Sequence, residues 1–147
     1  MPRHLRLFLI AFLMVSFLPC YAHHLAVVVD KDNNVGQVSS NVLAKMFKSE
    51  VRKWPDGKNV VIILHKSSSL EMLVLERLNK MTEAELKAFI SAHKSMFVIA
   101  DSDAALLKAV QSTPGALGLI DVRVVDGKVN VLKVDGKLPL EDGYLPH

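Results

Sequence analysis

The apolar positions along the chain fall into short blocks that switch between two periods. Leu25 to Val29 (L-A-V-V-V) is continuous and β-branched, as in a strand buried on both faces. The polar run D-K-D-N-N-V-G after it reads as a loop. Beyond Ser39 and Ser40, the apolar residues Val42, Leu43, Met46 and Phe47 recur at helical spacing, and a serine N-cap would satisfy the first free N–H groups. W-P-D-G at Trp54 to Gly57 predicts a turn, with Pro55 fixing φ and Gly57 free to adopt positive φ. Val60 to Leu64 (V-V-I-I-L) is a second strand. The helix beginning near Ser69 carries Leu70, Leu73, Val74, Leu78 and Met81 on one broad face.

Thr82 with Glu85 three residues on fits a capping box for a further helix. A third strand is predicted from Met96, then a helix capped by Asp101 or Ser102 and stopped by Pro114 and Gly115. G-A-L-G-L-I reads as a fourth strand, and V-R-V-V-D-G-K-V-N-V-L-K-V, Val122 to Val134, as a hairpin turning at Asp126-Gly127. Strands alternating with helices predict an α/β layered sheet. No internal repeat, low-complexity tract or linker interrupts the pattern.

The first 22 residues stand outside it. Arg3 and Arg6 precede the apolar run Leu7 to Leu18, which is shorter than the roughly 20 residues a membrane-spanning helix needs. With C-Y-A at its end, this is a secretory signal, residues 1–22, with cleavage expected after Ala22 and no membrane insertion afterwards. F-L-P-C lacks the small residues of a lipidated cysteine. Cleavage removes Cys20, the single cysteine of the chain, so a hydrophobic core rather than a disulfide must hold the product together. Residues 23–147 suffice for one α/β domain and not for two of ordinary size. The signal also carries two of the 18 basic residues, which leaves 16 against 15 acidic ones and lowers the net charge from +3 to +1. That balance argues against a nucleic-acid partner.

Chemistry concentrates in H-K-S-S-S-L-E, His65 to Glu71, where a strand meets a helix start. Oriented N–H groups, hydroxyls and the positive end of the helix dipole hold oxyanions at such places, so Lys66, Ser67, Ser68 and Ser69 are the candidate ligand residues. The alternative is an S-x-x-E capping box of Ser68 and Glu71, whose carboxylate would also repel an anion. His23, with a free amine after cleavage, is a candidate copper ligand. Trp54 reads as a packing anchor, His93 as a helix C-cap, and Asp101-Ser102-Asp103 as an N-cap too short in oxygen ligands for calcium. No Ser-His-Asp order, carboxylate pair or Gly-rich nucleotide loop stands out, so neither enzymatic activity nor a cofactor is expected.

Taken in order, V-L-A-K-M-F-K-S-E-V-R-K-W-P-D-G-K-N-V, the basic and serine-rich strand end, T-P-G-A-L-G-L-I and the closing D-G-K-L-P-L-E-D-G-Y form a recognisable series. It resembles the phosphate-type periplasmic substrate-binding proteins of bacterial ABC transporters, in their short single-lobe form. Phe47, Trp54, Asp56, Gly57, Pro114, Gly115, Ala116 and Gly118 carry the likeness, which runs from Leu25 to Tyr144. The resemblance implies an α/β fold that is a single lobe of the type 2 periplasmic-binding-protein kind, a mixed sheet flanked by helices. It also implies a periplasmic or secreted bacterial location, and binding of phosphate or a related small oxyanion for an ABC transporter or sensor. Three departures qualify it. Lys66 and three serines stand where relatives have arginine and Ser-Gly-Thr, Ser49 replaces a glycine, and Leu119 replaces a tyrosine. A second reading is therefore an envelope interaction module that kept the lobe and lost the anion site, and a third is copper binding through His23.

Overall fold

The computed structural model describes residues 24–147; the expected signal segment, residues 1–22, and His23 lie outside the described residues. The chain forms β1 (Leu25–Asp30), β2 (Gln37–Val38), α1 (Ser40–Phe47), β3 (Val61–His65), α2 (Ser69–Asn79), α3 (Glu83–Ala92), β4 (Phe97–Ala100), α4 (Asp103–Ser112), β5 (Ala116–Asp121), β6 (Val129–Val131) and β7 (Lys133–Val134). The main sheet has the order β4-β3-β5-β1-β6, and β2 pairs with β7 in a separate ribbon. β3 runs parallel to both β4 and β5, whereas β1 lies antiparallel between β5 and β6. The α/β sheet expected from the pattern is present, and it is mixed, as the resemblance implies.

Alternation along the strands divides the core. Leu25, Val27 and Val29 of β1 face one way, with Leu43, Met46 and Phe47 of α1, Val74 and Leu75 of α2, and Leu86 of α3. Ala26 and Val28 face the other way, with Leu106, Leu107 and Val110 of α4. Because both faces of β1 are covered, all six of its residues are buried, which is why its sequence shows no polar alternation. α4 comes close to the sheet at Gly118, where an added Cβ would lie 2.9 Å from Leu106 Cδ2.

Most predicted caps are present. Ser39, Thr82 and Ser102 accept first-turn N–H groups, Thr82 and Glu85 close a full capping box, and His93 caps α3. Ser49, where the resemblance leads one to expect glycine, has φ of 58°, the left-handed conformation glycine favours. The predicted hairpin at Asp126-Gly127 does not form. Asp121 ends β5 by accepting the Arg123 N–H at 2.9 Å, Val122–Val124 make a 3-10 turn, and β6 pairs with β1 instead. The would-be first arm is taken up by that 3-10 turn, and the second arm finds its partner in the free edge of β1. Asp126 still makes a turn, accepting the Lys128 N–H at 2.9 Å.

Trp54 is buried and anchors the W-P-D-G turn to the start of β5. Its indole Nε1–H donates to the Gly115 carbonyl at 2.9 Å, and Val61 N–H donates to the same oxygen at 3.0 Å. Gly115 N–H donates to the buried Asp30 carboxylate at 3.1 Å. Gly115 has φ of +78°, and a Cβ there would lie 2.0 Å from the Asn59 carbonyl oxygen, a contact that only backbone movement could relieve. Gly115→Ala is therefore expected to cost more than about 4 kcal/mol, in the range of the most severe single substitutions. Trp54→Phe leaves the carbonyl its Val61 bond and should lose only about 1 kcal/mol of hydrogen bonding. Urea unfolding of the two variants checks both the order and the gap.

Candidate functional site

The connections around β3 leave on opposite faces. α2 and α3 lead from β3 to β4 on one side of the sheet, and α4 returns to β5 on the other. A groove of about 600 Å³ opens beyond the carboxyl ends of β3 and β5, the place where open α/β sheets hold ligands. His65, Ser67, Ser68 and Ser69 line one wall, Asp103 stands at the start of α4, and Leu119, Asp121 and Arg123 line the wall from β5.

The serine turn is built by local hydrogen bonds. Ser68 Oγ accepts Glu71 N–H at 3.1 Å and caps α2. His65 Nδ1 accepts Ser67 N–H at 3.0 Å, so a neutral ring carries its proton on Nε2, which lies 3.6 Å from Asp103 Oδ1. Both ring nitrogens are engaged, and neither contacts a serine hydroxyl in the geometry of an activated nucleophile. The N–H groups of Ser69 and Leu70 belong to the first turn of α2 and have no intrahelical acceptor, which leaves them available to an anion.

Glu71 completes only half of the expected capping box. Its Oε2 accepts the His65 N–H at 2.8 Å rather than returning to Ser68, and its Oε1 is buried without a partner. Burial pushes this carboxyl up to about 8, against the opposing pull of the His65 N–H. At neutral pH Glu71 is thus mostly protonated beneath the turn, and it repels an anion far less than its position in the sequence implied.

Lys66 does not join the serines. Its backbone N–H extends the ladder to Ala100 at 2.8 Å, while its Nζ lies 3.8 Å from Asp101 Oδ1 beside a separate hollow near Met72 and Ile90. The cation facing the serine wall is Arg123. Its guanidinium pairs with Asp121, Nε donating to Oδ1 at 3.0 Å and one terminal nitrogen to Oδ2 at 2.5 Å. Sequence reasoning passed over both residues because it assigned Arg123 to a hairpin and left Asp121 between that hairpin and the fourth strand. A usable signal was present nonetheless: an acid–x–Arg run directly after a buried strand end. Among the described residues, no group of three His, Cys, Asp or Glu side chains is gathered to hold a metal ion, and no helix is long and apolar enough to cross a membrane.

No family model matches the chain, and neither does any curated protein. Solved structures do. An ABC-type phosphate transport receptor from Vibrio cholerae superposes with a TM-score of 0.67 at 21% identity, covering 80% of this chain and 48% of that one. A putative phosphate ABC transporter substrate-binding protein from Clostridium perfringens, solved with bound phosphate, gives 0.65 at 20% identity over 80% and 47%. The phosphate-binding protein from Stenotrophomonas maltophilia gives 0.62 at 17% identity over 80% and 40%. The chain has the fold of one lobe of such proteins. It spans about half the length of the structures it matches, and at these identities the likeness is one of fold.

The raised Glu71 carboxyl makes stability depend on pH in a defined direction. The unfolded chain ionises this group near 4.5 and the folded one near 8, so between these values the native state holds more protons. Stability should therefore fall as pH rises through that window, by at most about 1.4 kcal/mol per pH unit from this group. Glu71→Gln keeps an acceptor for His65 N–H and cannot ionise. Urea melts from pH 5 to 9 should show a flatter profile for the variant and greater stability than the parent at the alkaline end.

Proposed function

We propose that the protein is an exported, substrate-binding-protein-like domain that takes phosphate or a related small oxyanion in the groove at Ser67, Ser68, Ser69 and Arg123. It would serve an ABC transporter or a sensor in the periplasm. The observation that carries this reading is the groove itself. It lies at the carboxyl ends of β3 and β5, between the open first turn of α2 and a guanidinium, in a fold matched by structures named for phosphate. The reading involves binding alone. An oxyanion would accept from the first-turn N–H groups and serine hydroxyls on one side and compete with Asp121 for Arg123 on the other. A single open lobe covers less of a ligand than a cleft does, so affinity should be weak.

A second reading rests on Asp103 and Asp121, which set two carboxylates in the groove against one guanidinium. A lobe so charged suits an interaction module of an envelope assembly that no longer takes an anion. Calorimetry of the purified protein with phosphate and with sulfate separates the two. The first reading expects millimolar binding that Arg123→Ala and Ser69→Ala weaken several-fold and Lys66→Ala leaves nearly unchanged. No heat and no thermal shift at millimolar anion, with recovery of an envelope partner regardless of phosphate, would leave the second.

A further inference from the structure

β4 forms one edge of the main sheet, and among the described residues no strand covers its outer side. Lys66 N–H donates to the Ala100 carbonyl at 2.8 Å. By the alternation of a parallel ladder, Val98 and Ala100 turn their backbone groups toward β3, while Phe97 and Ile99 turn theirs outward. Phe97 N–H is taken by the Lys94 carbonyl of the preceding 3-10 turn, Lys94–Met96. The N–H and C=O of Ile99 thus face outward with no strand to meet. The side chains are equally uncovered: Val98 is 44% and Ile99 50% exposed, on opposite faces of the strand. The devices that blunt such an edge, a proline, a bulge or a charged side chain, are missing from Phe97–Ala100.

We propose that β4 is the interface of a two-fold homodimer, in which the β4 edges of two copies pair antiparallel about Ile99 and join their sheets. The open backbone groups select this register. With Ile99 opposite Ile99, each N–H meets the other's C=O. A shift to Val98 opposite Val98 would need the Phe97 N–H, which the Lys94 carbonyl already holds. Apolar contact follows the same axis. Both Ile99 side chains then lie on one face, beside the hollow of about 420 Å³ that Ile99 lines with Leu64, Met72 and Ile90. Charge selects the orientation. Exposed Lys94 stands before β4 and exposed Asp101 after it. Antiparallel pairing sets each lysine toward the second copy's aspartate, whereas parallel pairing sets like charges together. Asp101 also has Lys66 of its own chain at 3.8 Å, so this exposed pairing guides orientation more than it adds affinity. Because both copies use the same edge, the contact closes at two chains. A four-residue strand on each side falls short of a standard interface, so the dimer is weak.

Sedimentation equilibrium of the purified protein tests this. Between about 10 µM and 1 mM, the average mass should rise from that of one chain toward that of two. Ile99→Lys sets two cations face to face on the axis and should hold the protein at the mass of one chain throughout. Since Ile99 is half exposed, the melting temperature of the dilute variant should stay at the parent's value. Lys94→Asp should weaken association several-fold, and adding Asp101→Lys to it should recover the parent's behaviour. Leu140→Ser removes a side chain that is 68% exposed and lies outside β4, and should associate as the parent does. A constant single-chain mass up to about 1 mM would overturn the proposal. Association that survives Ile99→Lys, or that is lost in Leu140→Ser, would overturn it equally and place the contact elsewhere. A mass that climbs past two chains would do so as well, since it means β4 meeting the opposite edge, β6, head to tail.

Discussion

The backbone of Gly115 is the point on which the rest of the structure depends. Its N–H is held by the Asp30 carboxylate at the end of β1, and its carbonyl by both the Trp54 indole and the first residue of β3. Three segments distant in sequence are thereby fixed at one residue, in a conformation closed to any side chain by the Asn59 carbonyl. The register of β5 follows from this, with Gly118 opposite Val28 on one side and Ile63 on the other. Where β5 ends then decides where Arg123 stands. A constraint at one end of the sheet thus sets the composition of the groove at the other.

That groove is a balance of competing charges rather than a finished anion cradle. The helix terminus and Arg123 favour an anion, whereas Asp103 and Asp121 oppose it, and Glu71 withdraws from the contest by holding its proton. A guanidinium already paired to a carboxylate gives an oxyanion only the difference between two similar interactions. Discrimination between anions in such a site would come from the fixed N–H directions and serine hydroxyls more than from net charge.

The fold was legible in the sequence because burial and capping leave local marks. The uninterrupted L-A-V-V-V follows from a strand covered on both faces, and Ser39, Ser68, Thr82 and Ser102 mark helix starts by chemistry that acts within three residues. Asp126-Gly127 misled, since a turn dipeptide reports a change of direction but not which strand the chain will meet next. The site was half legible. The serines could be placed because they belong to one turn, but the direction of Lys66 depends on β4 accepting the ladder at Ala100, and Arg123 reaches the groove only through the register of β5. Likewise the destination of Glu71 was decided by a free N–H at His65, three residues before the serine it was expected to cap.

The place of β1 has a consequence for the order in which the molecule can be assembled. It is the first strand of the described chain, yet its two sheet neighbours, β5 and β6, both lie beyond residue 115. A chain emerging from a ribosome, N-terminus first, exposes six residues that have no pairing partner until most of the described chain has been made. Such non-local pairing slows folding. The cost of that delay is an apolar strand that needs protection until its neighbours arrive.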